Sequence, residues 1–277
     1  MPYLRVHEID LYYEEHGDGP ALVFAHGAGG NHLVWWQQVP AFARDYRVIT
    51  FDHRAFGLSR DVPHGPGRRA FPLDLHALLD HLGVGEFAIV AHSMGGRTAT
   101  PFLWLFPGRM RALVLSGTIG GALTDEVRAI QAAHAARVAG RSMRSRALRP
   151  DAEREDPDRA HLFHAIGRLN PPRGPGFLAP SPGLSRWTGS TTPLLQRAGL
   201  PTLFLVGAHD MIVPAEAMRA AHRGLPGSRF AEIANAGHSA YFEQPEAYNR
   251  ALRDFLDDVY PPTPSAQPTP HAPGRPA

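Results

Sequence analysis

Three polar residues far apart in the chain share one kind of surrounding, a short turn at the end of an apolar run. Ser93 stands in IVAHSMGGRTA (89–99), Asp210 in PTLFLVGAHDMIVP (201–214) and His238 in IANAGHSAYFEQPE (233–246). A serine hydroxyl is a weak nucleophile at neutral pH. An imidazole must take its proton, and a carboxylate must orient and stabilise that imidazole. Serine, acid, histidine is also the chain order in which such a set is assembled on an α/β sheet. A fourth stretch, FAHGAGGN (24–31), follows an apolar run and is rich in glycine. Acyl transfer needs N–H donors aimed at a developing oxyanion, and the backbone amides of Met94 and Ala28 are the natural pair. Gly27, Gly29 and Gly30 let that backbone approach a substrate closely.

Each of these residues has a plainer reading. Ser93 can be a helix N-cap after a strand. HGAGGNH followed by Asp52 partly matches a dinucleotide fingerprint, but His32 stands where the third glycine belongs. His161 and His164 have the spacing of one helix face, yet no carboxylate-flanked histidine pair exists, so no metal site is expected. Arg97 can bind a substrate carboxylate or be a solvated helix arginine. Trp35 and Trp36 follow the glycine-rich loop; one is expected to line a substrate pocket and at least one to be core. His92 is placed beside the nucleophile at the same pocket, and His26 is expected to fix its own loop.

The elements that must position these groups are legible as alternation. Nearly continuous apolar runs at 21–26, 47–52, 87–93, 111–117 and 201–207 read as strands buried on both faces of a mostly parallel sheet. YLRVHEI and IDLYYEEHG alternate more and predict an antiparallel hairpin at a sheet edge, and 228–237 predicts a last strand. Helices are predicted over 32–44, over 70–82 with Gly83 as its stop, after Ser93, from Pro214, and over 243–259. The alternation implies a doubly wound α/β fold with a core of 1–119 and 193–260. Residues 120–192 show no buried strand and read as a helical cap or lid. The Pro-rich tail, 261–277, lacks core-forming residues and is expected to be disordered.

Composition excludes several chemistries. The 277 residues contain no cysteine, hence no disulfide, thiolate metal site or cysteine nucleophile. There is no lysine; all 28 basic residues are arginine, which excludes a P-loop, a Schiff-base lysine and a Ser-Lys dyad. A net charge of +2 with no basic helix stripe gives no reason to expect nucleic acid as a partner. No run is long enough for a membrane span, and MPYLRVHEIDLYYEE lacks the pattern of a secretory signal. The expectation is a cytoplasmic protein acting on a small molecule without a cofactor.

Five segments together, HGAGG, FDHRAFGLS, AHSMGG, VGAHDMIVP and AGHSAYFEQPEAYN, resemble the α/β-hydrolase superfamily over about residues 5 to 259. The resemblance implies an eight-stranded, mostly parallel sheet with a cap inserted after strand 6. It implies Ser93 as nucleophile, Asp210 as acid and His238 as base. The serine argues against the branches that use aspartate at this turn. Three positions depart from the pattern. Ala91 and Ala55 stand where glycine is usual, and Pro101 falls inside the helix after Ser93, where a kink is expected. The function implied is hydrolysis of a small ester, lactone, thioester or carbon–carbon bond. The alternative is an acyltransferase, or a lyase or cyclase of a biosynthetic pathway, on the same fold.

Overall fold

The computed structural model describes residues 2–173, 177 and 190–262. The tail beyond 262 and residues 174–176 and 178–189 of the predicted cap lie outside the described residues. Eight strands form one sheet: β1 (Tyr3–Val6), β2 (Ile9–His16), β3 (Ala21–Ala25), β4 (Arg47–Phe51), β5 (Phe87–His92), β6 (Met110–Ser116), β7 (Thr202–Gly207) and β8 (Arg229–Ile233). Their spatial order is β1-β2-β4-β3-β5-β6-β7-β8. The β1–β2 hairpin joins β4 antiparallel, and every pairing from β4 to β8 is parallel. Each predicted strand is present, and the hairpin sits at the edge as its alternation required.

Ten α-helices are present among the described residues: α1 (Val39–Phe42), α2 (Phe71–His81), α3 (Gly96–Leu105), α4 (Asp125–Arg137), α5 (Ala152–Glu155), α6 (Pro157–Arg168), α7 (Thr192–Ala198), α8 (Ala215–Arg223), α9 (Ala240–Glu243) and α10 (Pro245–Val259). Alternate strand residues feed two cores, because successive side chains point to opposite faces. Val23, Ile89, Ala91, Leu113 and Leu115 meet Leu75 and Leu78 of α2, Phe102 of α3 and Met218 of α8. Leu22, Phe24, Val90 and Val114 meet Trp35, Phe42, Tyr241 and, from α10, Tyr248, Leu252 and Phe255.

The predicted helix over 32–44 is instead a 3-10 turn (His32–Trp35) followed by α1. Pro40 is the reason. It has no N–H for the carbonyl four residues back, so a continuous helix cannot pass it, while the first turn of a new one can hold it. By contrast, α3 runs as one helix through Pro101. Between β6 and β7 the described chain is helical, α4 to α7. Packing nevertheless crosses the expected boundaries at 120 and 192: Ile119, Ala122, Val127 and Leu195 share the first core. Ala160, Phe163 and Ile166 of α6 share the second.

Candidate active site

The chain leaves β3 toward β4 on one side and reaches β5 on the other. The carboxyl ends of β3 and β5 therefore flank a topological switch point, where α/β sheets open a crevice. The glycine-rich loop extends from β3 and Ser93 from β5.

Ser93 has a positive φ of +49°, a left-handed conformation that a non-glycine residue adopts only when its surroundings impose it. A 3-10 turn over Ser93–Gly95 then leads into α3. Close packing sets this turn. A side chain on Gly95 would place its Cβ 2.4 Å from the Ala25 carbonyl oxygen, and one on Gly27 would come within 2.7 Å of the His92 ring. Gly29 has open space around its missing Cβ, and a Cβ on Gly30 would meet the buried Val34 side chain at 2.6 Å rather than the serine turn. Of the three loop glycines, Gly27 is the one required for approach to the serine.

His238 Nε2 lies 2.8 Å from Ser93 Oγ, and its Nδ1 lies 2.8 Å from Asp210 Oδ2. The other carboxylate oxygen, Oδ1, accepts the N–H groups of Ile212 (2.7 Å) and Val213 (2.9 Å), which fixes the carboxylate plane. Asp210 and His238 are buried, while Ser93 retains access to solvent. The Met94 amide sits in the first turn after the strand, where no intrahelical acceptor exists. Among the described residues, neither the Met94 nor the Ala28 amide donates a hydrogen bond. Met94 also clusters with Phe56 and Phe71, against which Ala28 and Phe177 pack, so an apolar wall adjoins the two amides.

The glycine-rich loop is held from beneath by His26, expected to fix this loop, together with His53 and Thr98, which have no role in the sequence pattern. His26 Nε2 accepts the His53 backbone N–H at 3.0 Å, so its proton is on Nδ1, which donates to the Gly27 carbonyl at 2.8 Å. His53 Nδ1 lies 3.1 Å from the same His26 nitrogen, and its Nε2 accepts from the Thr98 hydroxyl at 2.7 Å. Burial pushes His26 down to about 4 and His53 well below the usual histidine value, so both are neutral at pH 7. Asp52 is no ribose ligand. Its carboxylate accepts the backbone N–H groups of His32 and Leu58, both at 2.7 Å, and contacts the His32 ring. The signal for this role was present as Asp52-His53 closing a buried strand, but only their partners reveal it.

Of the tryptophan pair, Trp35 is the core residue expected, and His92, placed beside Ser93 in sequence, is buried too. Trp35 is wholly buried between Phe24 and Tyr241. His92 is buried behind the histidine, its ring 4.8 Å from those of His238 and Tyr241, and Nδ1 donates to the Ser116 carbonyl at 3.1 Å. Burial holds His92 well below the usual histidine value. Trp36 is half-exposed, edge-on to Phe242. His164 of α6 lies 3.2 Å from Glu153, and no group of three or more possible metal ligands occurs among the described residues.

A family model described as the alpha/beta hydrolase fold matches residues 20–245. The chain belongs to the α/β hydrolase family. A putative non-heme bromoperoxidase of Mycobacterium tuberculosis is 29% identical, aligning over 91% of this chain and 99% of that protein. A 3-oxoadipate enol-lactonase of Acinetobacter baylyi is also 29% identical, over 91% of this chain and 95% of its own length. Among solved structures, a thermophilic esterase from Thermogutta terrifontis superposes with a TM-score of 0.75 at 29% identity, covering 93% of this chain and 97% of that one. This α/β hydrolase is therefore an enzyme of the hydrolase class. No helix among its described residues is long and apolar enough to cross a membrane.

Proposed function

We propose that this hydrolase cleaves a small carboxylic ester or lactone by way of a Ser93 acyl-enzyme, without a cofactor. The observation that carries the reading is the unbroken contact Ser93–His238–Asp210, with 2.8 Å at each link. Beside it lie the Met94 and Ala28 amides, which donate to no acceptor among the described residues. His238 Nε2 takes the Ser93 proton as Oγ bonds to the substrate carbonyl carbon, and the carbonyl π pair moves onto oxygen. The Met94 and Ala28 N–H groups receive that charge. Asp210 stabilises the imidazolium without taking its proton. Collapse breaks the carbon–oxygen bond to the leaving alcohol, which takes the proton from His238. Water then repeats the sequence on the acyl-enzyme and restores Ser93.

The ester and lactone class draws support from the enol-lactonase and esterase relatives and from the apolar wall of Phe56, Phe71 and Met94. The test is labelling by a fluorophosphonate probe, read by intact mass and peptide mapping, beside an ester and lactone panel. One adduct on Ser93 and none on Ser93→Ala is expected, with hydrolysis lost in the variant. Folded wild-type protein that takes no adduct, or Ser93→Ala that still turns over, overturns the reading.

A further inference from the structure

Glu243 is buried at the end of α9, in a place the proposed chemistry does not use. Its two carboxylate oxygens serve two different segments. Oε2 accepts the backbone N–H of Gly237 at 2.6 Å, and Gly237 immediately precedes His238. Oε1 accepts the backbone N–H of Arg149 at 2.8 Å, on the segment inserted between β6 and β7. The two segments touch directly as well. The Ser239 N–H donates to the Ala147 carbonyl at 3.0 Å. A side chain on Gly237 would place its Cβ 2.3 Å from the Arg149 nitrogen. His238 is thus flanked on both sides by hydrogen bonds that lead to residues 147–149.

We propose that Glu243, as a carboxylate, is a positioning residue that clamps the His238 loop to the inserted segment and so holds Nε2 on Ser93. The inference rests on the acyl-enzyme reading above. A carboxylate can accept both N–H groups; a carboxylic acid turns one oxygen into a donor and leaves one N–H facing it unpaired. The groups facing Glu243 are Arg149, with Nε at 3.8 Å, and Arg159, which donates to the Glu243 carbonyl at 2.6 Å. Glu155 draws off part of Arg149, Asp156 pairs with Arg159 at 3.0 Å, and Asp210 adds a like charge. Burial outweighs the two N–H groups and Arg149, and raises the carboxyl to about 7. A cavity of about 250 Å³, lined by Leu148, Arg149, Ala152, Asp156, Arg159 and Glu243 among others, gives protons a route.

The test is the rate of fluorophosphonate labelling and kcat/KM of the best panel ester, each from pH 5.5 to 9. Wild type is expected to show a shallow fall of about threefold to tenfold centred near pH 7, on top of whatever pH dependence all three proteins share. Glu243→Gln is expected to be slower by the same factor at pH 8, in kcat rather than KM, and to lack the additional fall. Arg149→Met removes the nearest cation and is expected to move that fall to higher pH. Profiles of Glu243→Gln and Arg149→Met that overlay wild type overturn the positioning role. Should Glu243→Gln not fold, an unshifted fall in Arg149→Met overturns it alone. Absence of any Ser93 label in wild type would instead defeat the acyl-enzyme reading.

Discussion

The two sides of Ser93 are held by different means. On the proposed oxyanion side, the loop from β3 rests on His26, His53, Thr98 and Asp52, all contributed by the sheet and the elements beside it. The two histidines there are neutral at pH 7 and reach the loop through short-range core packing. On the histidine side, the loop after β8 is tied to an insertion through Glu243 and Ala147. The first side is anchored to the sheet. The second is only as fixed as the segment that clamps it, and its clamp titrates near neutrality. A site divided this way can keep the proposed oxyanion donors constant while the proposed base responds to the insertion and to pH.

Glycine substitutions should break the symmetry most visibly. A Cβ on Gly95 meets the carbonyl of the central strand β3, which cannot move without opening the sheet. Gly95→Ala is expected to cost about 3 kcal/mol and lower Tm by roughly 6–10 °C. A Cβ on Gly237 meets the backbone of residues 148–149, which belong to the insertion and not to the sheet. Gly237→Ala is expected to cost less than Gly95→Ala while kcat/KM falls roughly tenfold, since a small displacement of the proposed base is expensive. Denaturant melts paired with ester kinetics decide it. Equal stability losses would mean that the insertion is as unyielding as the sheet.

The pH dependence of stability should separate the two sides by sign. The folded carboxyl of Glu243 lies at about 7, above its unfolded value, so the folded state binds the extra proton. That contribution is full below the unfolded value near 4.5 and is lost as pH rises to about 7, by at most about 3 kcal/mol. His26 behaves oppositely. Its folded value of about 4 lies below the unfolded 6.5, so its contribution is present above pH 6.5 and is lost as pH falls toward 4. His53 and His92 add to the same direction. The stability of Glu243→Gln minus that of wild type should therefore rise between pH 5 and 8, measured by urea unfolding. A difference that stays flat with pH would show that the clamp carboxyl does not titrate in that window.

The division also explains what the chain disclosed in advance. Strands such as VITF and AIVAH are apolar on both faces, and only a doubly covered parallel sheet buries them, so the fold was legible. Ser93, Asp210 and His238 were legible because each ends a strand in a loop with a chemical residue type. Trp35 and His92 were not placeable, because proximity in sequence to a site does not say on which side of the backbone a ring lies. Glu243 and His53 were invisible for another reason. Their roles consist of hydrogen bonds to partners set by the fold, the backbone N–H groups of Arg149 and Gly237 for one, the His26 ring and the Thr98 hydroxyl for the other. No local pattern encodes such partners.

The smallest expected effect concerns backbone strain. Ala55 adopts a φ of +66° in the loop on the oxyanion side, where its departure from glycine was noted in sequence. A left-handed alanine costs about 1–2 kcal/mol, whereas glycine adopts that conformation freely and loses roughly 0.5–1 kcal/mol to chain entropy. The Arg173 guanidinium donates to the Ala55 carbonyl at 3.2 Å and lies 4.1 Å over the Phe56 ring, so the loop is held whatever residue 55 is. Ala55→Gly should therefore stabilise by about 0.5 kcal/mol and leave kcat/KM within about twofold. The histidine-side counterpart is Asn235, with a φ of +54°. Asparagine tolerates that region, so Asn235→Gly should gain less than Ala55→Gly. An equal gain at both positions in urea unfolding would place comparable strain on the two sides, and the sheet-borne side would then owe its rigidity to packing alone.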